Sequence, residues 1–262
     1  MRVFACILGL SLALGGGAEA APKRVASLNL CTDELLLILA APQQIVSVTH
    51  LAQQQAETPL WKRARRYRSN DGSLLSIVGY RPDLVLTMGG GARDRVRIAH
   101  KLGIQTIDLP FPGSIADIEN SIARVAKALG RNGAGKTLLE RIRRLEASRP
   151  ASSAEALWLG GGGRSVAATG LAADWMALAG LRQRALPGDQ VSLEELLANA
   201  PAILLKSDYR SGQYSSEQKW LSHPLAIRAG RSRTMITDGR RWTCMGPLMI
   251  AEISRLRAPG RQ

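Results

Sequence analysis

Ser73-Leu-Leu-Ser-Ile-Val-Gly-Tyr-Arg-Pro-Asp-Leu-Val-Leu86 is a stretch of sequence that returns, in altered form, as Ser192-Leu-Glu-Glu-Leu-Leu-Ala-Asn-Ala-Pro-Ala-Ile-Leu-Leu205. Each copy has a serine suited to cap a helix, then an amphipathic segment, a proline and a short apolar run. Proline cannot continue a helix, and it disfavours helical angles in the residue before it. The apolar run has the length of a buried parallel strand. Each copy therefore predicts a helix followed by a strand.

The spacing of the two copies predicts two similar lobes. The copies lie 119 residues apart in a chain of 262 residues. Around each copy, short apolar runs alternate with helical patterns, which predicts parallel sheets with helical crossovers. We therefore predict an α/β fold with an N-terminal lobe at 21–133, a linker helix at 134–149, a C-terminal lobe at 150–262 and a ligand cleft between the lobes.

The first twenty residues have the pattern of a secretory signal peptide. Arg2 precedes an apolar run from residue 3 to residue 14, and Ala18-Glu19-Ala20 is a small-residue cleavage signal. The apolar run is too short to cross a bilayer, and Cys6 lies too early in the chain to be a lipid-modified cysteine. We predict that residues 1–20 are removed after about Ala20 and that the mature protein is exported.

The charge of the chain favours an anionic partner. The formal net charge is +14, and residues 62–68 form the densest basic run, with Trp61 and Tyr67 in or beside it. Basic runs with aromatic residues occur in nucleic-acid-binding proteins. A solvated face is the simpler interpretation here, and export argues against nucleic acid. The overall positive field favours an anionic ligand or an anionic surface such as lipid or polysaccharide.

One motif suggests an enzyme, and its context argues against that interpretation. Gly130-Arg-Asn-Gly-Ala-Gly-Lys136-Thr137 fits the phosphate-binding pattern G-x-x-x-x-G-K-[ST]. The pattern has meaning between a buried strand and a helix, whereas the segment before it has helical spacing. We interpret residues 130–137 as a junction between two helices, and keep a P-loop nucleotide-binding enzyme as the alternative function. The chain has no G-x-S-x-G or H-E-x-x-H motif.

Four phrases carry a resemblance to a known family. They are Arg24-Val-Ala-Ser-Leu-Asn-Leu-Cys-Thr-Asp-Glu-Leu35, Ile45-Val-Ser-Val-Thr49, Arg81-Pro-Asp-Leu-Val-Leu86 and Leu102-Gly-Ile-Gln-Thr-Ile107. Their order and spacing resemble the substrate-binding proteins of ABC importers for vitamin B12, haem and ferric siderophores. Trp242-Thr-Cys-Met-Gly-Pro247 resembles a later phrase of some members.

The resemblance implies a fold, a class of ligand and a partner. It implies two Rossmann-like lobes joined by one long helix, little hinge motion and no enzymatic activity. The protein would be a periplasmic, monomeric binding protein without a cofactor of its own. Its ligand would be a metal chelate (cobalamin, a ferric siderophore or haem), and its partner an inner-membrane permease. Acidic residues on each lobe would dock onto permease arginines, for which we select Asp94 and Glu217, with Asp208 as a weaker candidate.

The ends of the predicted strands supply the candidate ligand site. In parallel sheets, ligands lie at the carboxyl ends of strands. Aromatic side chains there can stack on a flat macrocycle, arginines can pair with carboxylates or phosphates, and glycine permits close approach. His50 could serve as a metal ligand, although no second histidine is suitably spaced. The predicted binding residues are Cys31, His50, Met88, Gly90, Phe111, Arg164, Tyr209, Arg210, Arg241, Trp242 and Cys244.

The two cysteines that remain after export have three open fates. Cys31 follows the first predicted strand, and Cys244 follows the last one, in a segment that we interpret as a loop. They could be separate thiols, soft-metal ligands or a disulfide, which needs Cα atoms within about 7 Å. A disulfide between the lobes would clamp the cleft, so we rank it last and expect separate, partly buried thiols.

Overall fold

Two parallel sheets organise the computed structural model, which describes residues 21–89, 93–213, 215–227 and 232–258. The strands are β1 (Val25–Ser27), β2 (Ile45–Thr49), β3 (Arg68–Asn70), β4 (Leu84–Met88), β5 (Gln105–Leu109), β6 (Ala154–Leu159), β7 (Leu181–Gln183), β8 (Ile203–Ser207) and β9 (Arg233–Thr237). The first sheet has the order β3-β2-β1-β4-β5, and the second has the order β7-β6-β8-β9. Residues 1–20, predicted as a signal peptide, and Gly90 lie outside the described residues.

Helices surround both sheets. They are α1 (Leu30–Leu39), α2 (Trp61–Ala64), α3 (Leu75–Val78), α4 (Arg93–Lys101), α5 (Ile115–Ala128), α6 (Asn132–Ala147), α7 (Leu171–Leu178), α8 (Leu193–Ala198), α9 (Ser216–Ser222), α10 (Pro224–Ile227), α11 (Gly239–Cys244) and α12 (Met249–Arg257). No helix within the described residues combines the length and the apolar character needed to cross a membrane.

The repeated phrase occupies the same place in both sheets. Its strand is β4 in the first sheet and β8 in the second, and each lies between the first strand of its sheet and an edge strand. Ser192 caps α8 by accepting a hydrogen bond from the backbone N–H of Glu195, as its position in the phrase predicts. The prediction of an α/β fold with two parallel-sheet lobes is confirmed.

The lobes share one apolar core. Along the chain, α6 comes after the last strand of the first sheet and before the first strand of the second. Its buried face, which includes Ile142, belongs to a cluster that also contains Ile122 of α5, Trp175 of α7 and Ile253 of α12. Because the helices between the sheets bury side chains from both lobes together, the lobes are packed against each other and not merely tethered.

Several local predictions were wrong or incomplete. The sequence did not indicate β3 and β7, which are three-residue strands with polar residues. The segment after β9 was expected to be a loop, but Asp238 caps a helix there, α11, by accepting from the Arg240 N–H. Residues 132–137 lie in α6, directly after the Gly130 turn, so the phosphate-binding pattern has no strand before it.

Candidate functional site

The carboxyl ends of the strands gather most of the predicted binding residues on the cleft side of the two sheets. In the first lobe, His50 directly follows β2 and Met88 is the last residue of β4. In the second lobe, Arg164 follows β6, Tyr209 and Arg210 follow β8, and Arg241 lies in α11 after β9. The order in which strands are added to the sheet reverses between β1 and β4 in the first sheet and between β6 and β8 in the second, and such a switch point is the usual ligand position in open parallel sheets.

A disulfide joins the lobes at this edge, contrary to our expectation of separate thiols. Cys31 lies in the first turn of α1, Cys244 is the last residue of α11, and their Cα atoms are 5.2 Å apart. The expectation was wrong because it placed Cys244 in an open loop. As part of a helix that contacts α1, Cys244 comes within bonding distance of the first lobe. Neither cysteine is therefore a thiol ligand in this state.

Trp242 is also placed differently from the prediction. Only 6% of the residue is exposed, and its Nε1–H donates to the Thr237 hydroxyl over 2.7 Å. Its ring lies 6.0 Å from the Trp158 ring, in a tilted arrangement. Because α11 turns the indole into the core, Trp242 packs the second lobe and does not present a stacking surface to a ligand.

Arg241 is engaged by acidic residues of its own lobe. Its Nε lies 3.1 Å from Asp238 and 3.6 Å from Glu252, and its Nη1 donates to the Leu248 carbonyl. Although burial alone would raise it, the pKa of the Asp238 carboxyl is lowered by the guanidinium groups of Arg240 and Arg241. Arg241 therefore holds α11 to α12, and its expected role as a ligand-binding arginine is not supported.

A cavity of about 340 Å³ lies in the wall of the second lobe. We call this surface the second-lobe wall, and the residues that characterise it are Trp158, Arg164, Tyr209, Arg210 and Glu217. Arg164 pairs with Glu217 over 3.1 Å, with both side chains more than half exposed. Within the described part of the chain, the buried Nε1–H of Trp158 has no hydrogen-bond partner. The wall thus combines aromatic rings with charges of both signs.

A contact from the first lobe fixes two residues of this wall. Glu57 follows β2 in an irregular segment, is 5% exposed, and accepts from the Tyr209 hydroxyl at 2.9 Å and from Arg210 Nη2 at 2.5 Å. Burial and the Glu57 carboxylate raise the pKa of the Tyr209 phenol. Nearby, Arg240 Nη1 donates to the Gln55 carbonyl over 3.0 Å. The sequence carries no motif that indicates Glu57, because only tertiary structure brings it to the second lobe.

Two of the predicted binding residues of the first lobe, His50 and Phe111, are exposed. His50 is exposed, and its Nδ1 lies 3.3 Å from the Asn70 carbonyl. Phe111 is 69% exposed, and its ring lies 3.0 Å from the position that a Cβ atom on Gly89 would occupy. Gly89 has a φ of 116°, so both the backbone and the ring above it require glycine at the end of β4. Phe111 is therefore available as an apolar contact surface.

Two carboxyl groups of α1, those of Asp33 and Glu34, are buried near the junction of the lobes. Asp33 accepts from the backbone N–H and the hydroxyl of Thr49, and Glu34 accepts from the Thr58 hydroxyl. Burial raises the pKa of Asp33 to about 7 and that of Glu34 to about 8. The second oxygen of Glu34 has no hydrogen-bond partner among the described residues. Asn29 caps α1 by accepting a hydrogen bond from the Cys31 N–H.

The predicted docking acids lie in different settings. Asp94 is in α4 with a highly exposed side chain that pairs with Arg97 over 2.9 Å. Glu217 is in α9 and belongs to the second-lobe wall. Asp208 accepts from the Gly239 N–H and so ties β8 to α11. Among the described residues, no group of three or more histidine, cysteine or acidic side chains could hold a metal ion.

Comparison with known families gives one match that spans most of the chain. The model of a family described as "Periplasmic binding protein" matches residues 25–241. A comparison with the sequences of curated proteins gives no significant match.

Comparison with solved structures gives matches that share the fold at low sequence identity. A possible iron-binding (periplasmic solute-binding) protein from Staphylococcus epidermidis is 15% identical, with a TM-score of 0.67, over 91% of this chain and 98% of that chain. A periplasmic haem-binding protein from Roseiflexus sp. RS-1 is 20% identical, with a TM-score of 0.66, over 90% and 96%. The periplasmic vitamin B12 binding protein of Vibrio cholerae is 15% identical, with a TM-score of 0.60, over 90% and 95%.

Proposed function

The chain belongs to the periplasmic binding protein family, and from this premise we propose that it is the exported solute-binding component of an ABC importer for a metal chelate. The family is one of binding proteins and not of enzymes. We propose that cobalamin, haem or a ferric siderophore binds between the lobes, and that the protein passes it to an inner-membrane permease. The likeness to iron-, haem- and B12-binding structures favours a ligand of this class.

The second-lobe wall is the single observation that supports this function most. It lies at the carboxyl ends of β6 and β8, where its cavity of about 340 Å³ is bordered by two arginines and two aromatic residues. Arginine suits the carboxylates or phosphates of a chelate, and aromatic faces suit its flat, apolar parts. Phe111, exposed at the end of β5, would offer an apolar surface from the first lobe.

The visible absorption spectrum of the protein purified from its own host tests this function. We expect a bound chromophore whose bands distinguish cobalamin, haem and a ferric catecholate. A colourless protein that also fails to take up any of these chelates when they are added would contradict the proposal. The saturated protein should contain one ligand for each chain.

We further propose that Asp94 contributes to permease docking. Its side chain is highly exposed, and its ion pair with Arg97 is local to α4, so a permease arginine could replace that partner. Charge pairs at a rim mostly affect association rate and salt sensitivity. Asp94→Arg should therefore impair transport while chelate binding stays normal, and normal transport would remove this face from consideration. Glu217 is the proposed second-lobe partner, but its ion pair with Arg164 makes it a less selective probe.

A further inference from the structure

We propose that Glu57 is a positioning residue of the cleft: from the first lobe, it holds Tyr209 and Arg210 of the second-lobe wall in the orientation in which they meet an anionic group of the ligand. This inference rests on the proposed function, because it concerns the same cleft. It adds that one wall of the site is completed by the opposite lobe, so ligand affinity depends on how the lobes are packed.

The first lobe fixes Glu57 firmly. The Glu57 N–H donates to the Gln54 carbonyl, and the neighbouring Thr58 is fully buried with its hydroxyl donating to Glu34 of α1 over 2.8 Å. Glu57 itself is 5% exposed and, among the described residues, is not one of those that line the cavity. The carboxylate therefore supports the wall from behind and does not compete with a ligand for the cavity.

The second lobe fixes the backbone of the two wall residues. The Tyr209 N–H donates to Ser207, and its carbonyl accepts from the Gln218 side chain. Gly239 packs so closely that a Cβ atom there would lie 2.5 Å from the Tyr209 Cβ. The Tyr209 hydroxyl and the Arg210 guanidinium, by contrast, both donate hydrogen bonds to Glu57 of the first lobe.

The conformation and chemistry of Arg210 fit a role in binding. Its φ is 54°, a left-handed conformation that is uncommon for a residue other than glycine and often marks a functional position. Its guanidinium lies 5.1 Å from the Tyr209 ring, so the two side chains form one unit. A guanidinium has five N–H donors, and Glu57 engages Nη2, so Arg210 keeps donors for a second anionic group.

The first test reads Tyr209 directly and needs no ligand. Glu57 contributes to the raised pKa of the Tyr209 phenol, so Glu57→Gln should lower that pKa. The measurement is a titration of labelled tyrosine by NMR, with Tyr209→Phe used to assign the signal. Glu140→Gln, the same change in an exposed pair of α6, is the matched control and should leave the signal unchanged. An unchanged Tyr209 pKa in Glu57→Gln overturns the proposal.

The second test measures binding of haemin, cyanocobalamin and a ferric tris-catecholate. For any of these that binds the wild type, Glu57→Gln should weaken binding by roughly tenfold to a hundredfold, the scale of a lost charged hydrogen bond, and Glu57→Asp should restore part of it. In the Tyr209→Phe/Arg210→Gln background, Glu57→Gln should have little further effect, because Glu57 acts through these two side chains. Equal binding by wild type and a folded Glu57→Gln overturns the proposal.

The two tests separate this inference from the proposed function. If none of the three chelates binds the wild type, the proposed function fails. The tyrosine titration still shows whether Glu57 contacts Tyr209 and raises its pKa. If Glu57→Gln does not fold, Tyr209→Phe and Arg210→Gln remove the same contacts by changing their second-lobe partners. Full chelate binding by both of these variants would then overturn the proposal.

Discussion

Trp242 stabilises the second lobe through its buried indole. The ring contacts Trp158, and its N–H donates to Thr237 at the end of β9. A tryptophan that is 6% exposed has lost nearly all its contact with water, and its N–H would be costly to bury without the Thr237 hydroxyl. Its effect is therefore expected on folding and not on ligand contact.

Replacing Trp242 with alanine should lower the free energy of unfolding by about 3–5 kcal/mol, the usual cost of truncating a buried aromatic side chain. Urea unfolding followed by circular dichroism measures this change. Phe111→Ala is the control, because the Phe111 ring is mostly exposed and its loss should change stability by less than about 1 kcal/mol. An unchanged urea midpoint for Trp242→Ala would show that the indole is not structural.

At the scale of residues, the sequence predicted positions better than side-chain directions. The strand-end rule selected Tyr209 and Arg210, which follow β8 and line the cavity of the second-lobe wall, because the rule depends on where parallel strands end. It could not indicate that α11 turns Trp242 inward. It also could not find Glu57, because that carboxylate lies in an irregular segment and reaches the wall only through packing between the lobes.

The short helix α11 connects the lobes. Asp238 caps its start, and its end at Cys244 is followed by Met245 in a left-handed conformation with a φ of 48°. These two features fix the direction of Cys244 toward the first turn of α1. The resulting disulfide closes a loop between residues separated by 213 positions, so it restricts the unfolded chain strongly.

Removing this disulfide should lower the free energy of unfolding by up to about 5 kcal/mol, the loop-entropy limit for so long a loop. The comparison is urea unfolding of the wild type and of Cys31→Ser/Cys244→Ser, with and without reductant. Reductant should destabilise the wild type and leave the double variant unchanged. Two titratable thiols in denatured, unreduced protein would contradict the disulfide.

At the scale of elements, the repeated phrase was the strongest signal in the chain. A short apolar run after proline correctly predicted β4 and β8, since a buried central strand needs such residues. The strands β3 and β7 have three residues each and lie at the edges of their sheets, where polar side chains are tolerated. Three residues are too few to show a two-residue alternation of polar and apolar side chains, so the sequence pattern does not indicate these strands.

The whole molecule places two protonatable carboxyl groups where its lobes meet. Asp33 and Glu34 lie in α1. The charges of two second-lobe residues also act on the pKa of Glu34, which Arg241 lowers and Asp238 raises. Burial raises the pKa of Asp33 from 3.8 to about 7 and that of Glu34 from 4.5 to about 8. At a pH between the pKa of each group in the unfolded chain and its pKa in the folded protein, the folded protein binds more protons than the unfolded chain.

Stability should therefore fall as pH rises from about 5 to about 8, since both carboxyl groups favour the folded state while protonated and lose that contribution on ionising. Unfolding by urea at each pH measures this dependence. Glu34→Gln keeps a neutral group of similar shape and should flatten the profile, whereas the exposed control Glu140→Gln should keep the wild-type slope. Stability that increases across this range would contradict the assignment.

Binding in the cleft between the lobes is the central claim, and one titration tests it most directly. Haemin, cyanocobalamin and a ferric tris-catecholate are each titrated into the wild type, into Arg164→Gln/Arg210→Gln and into the control Arg141→Gln/Arg149→Gln, whose arginines are exposed away from the wall. We expect saturable one-to-one binding of one chelate class, lost or strongly weakened only when the wall arginines are replaced. Absence of saturable binding for all three, or equal binding by all three proteins, would contradict it.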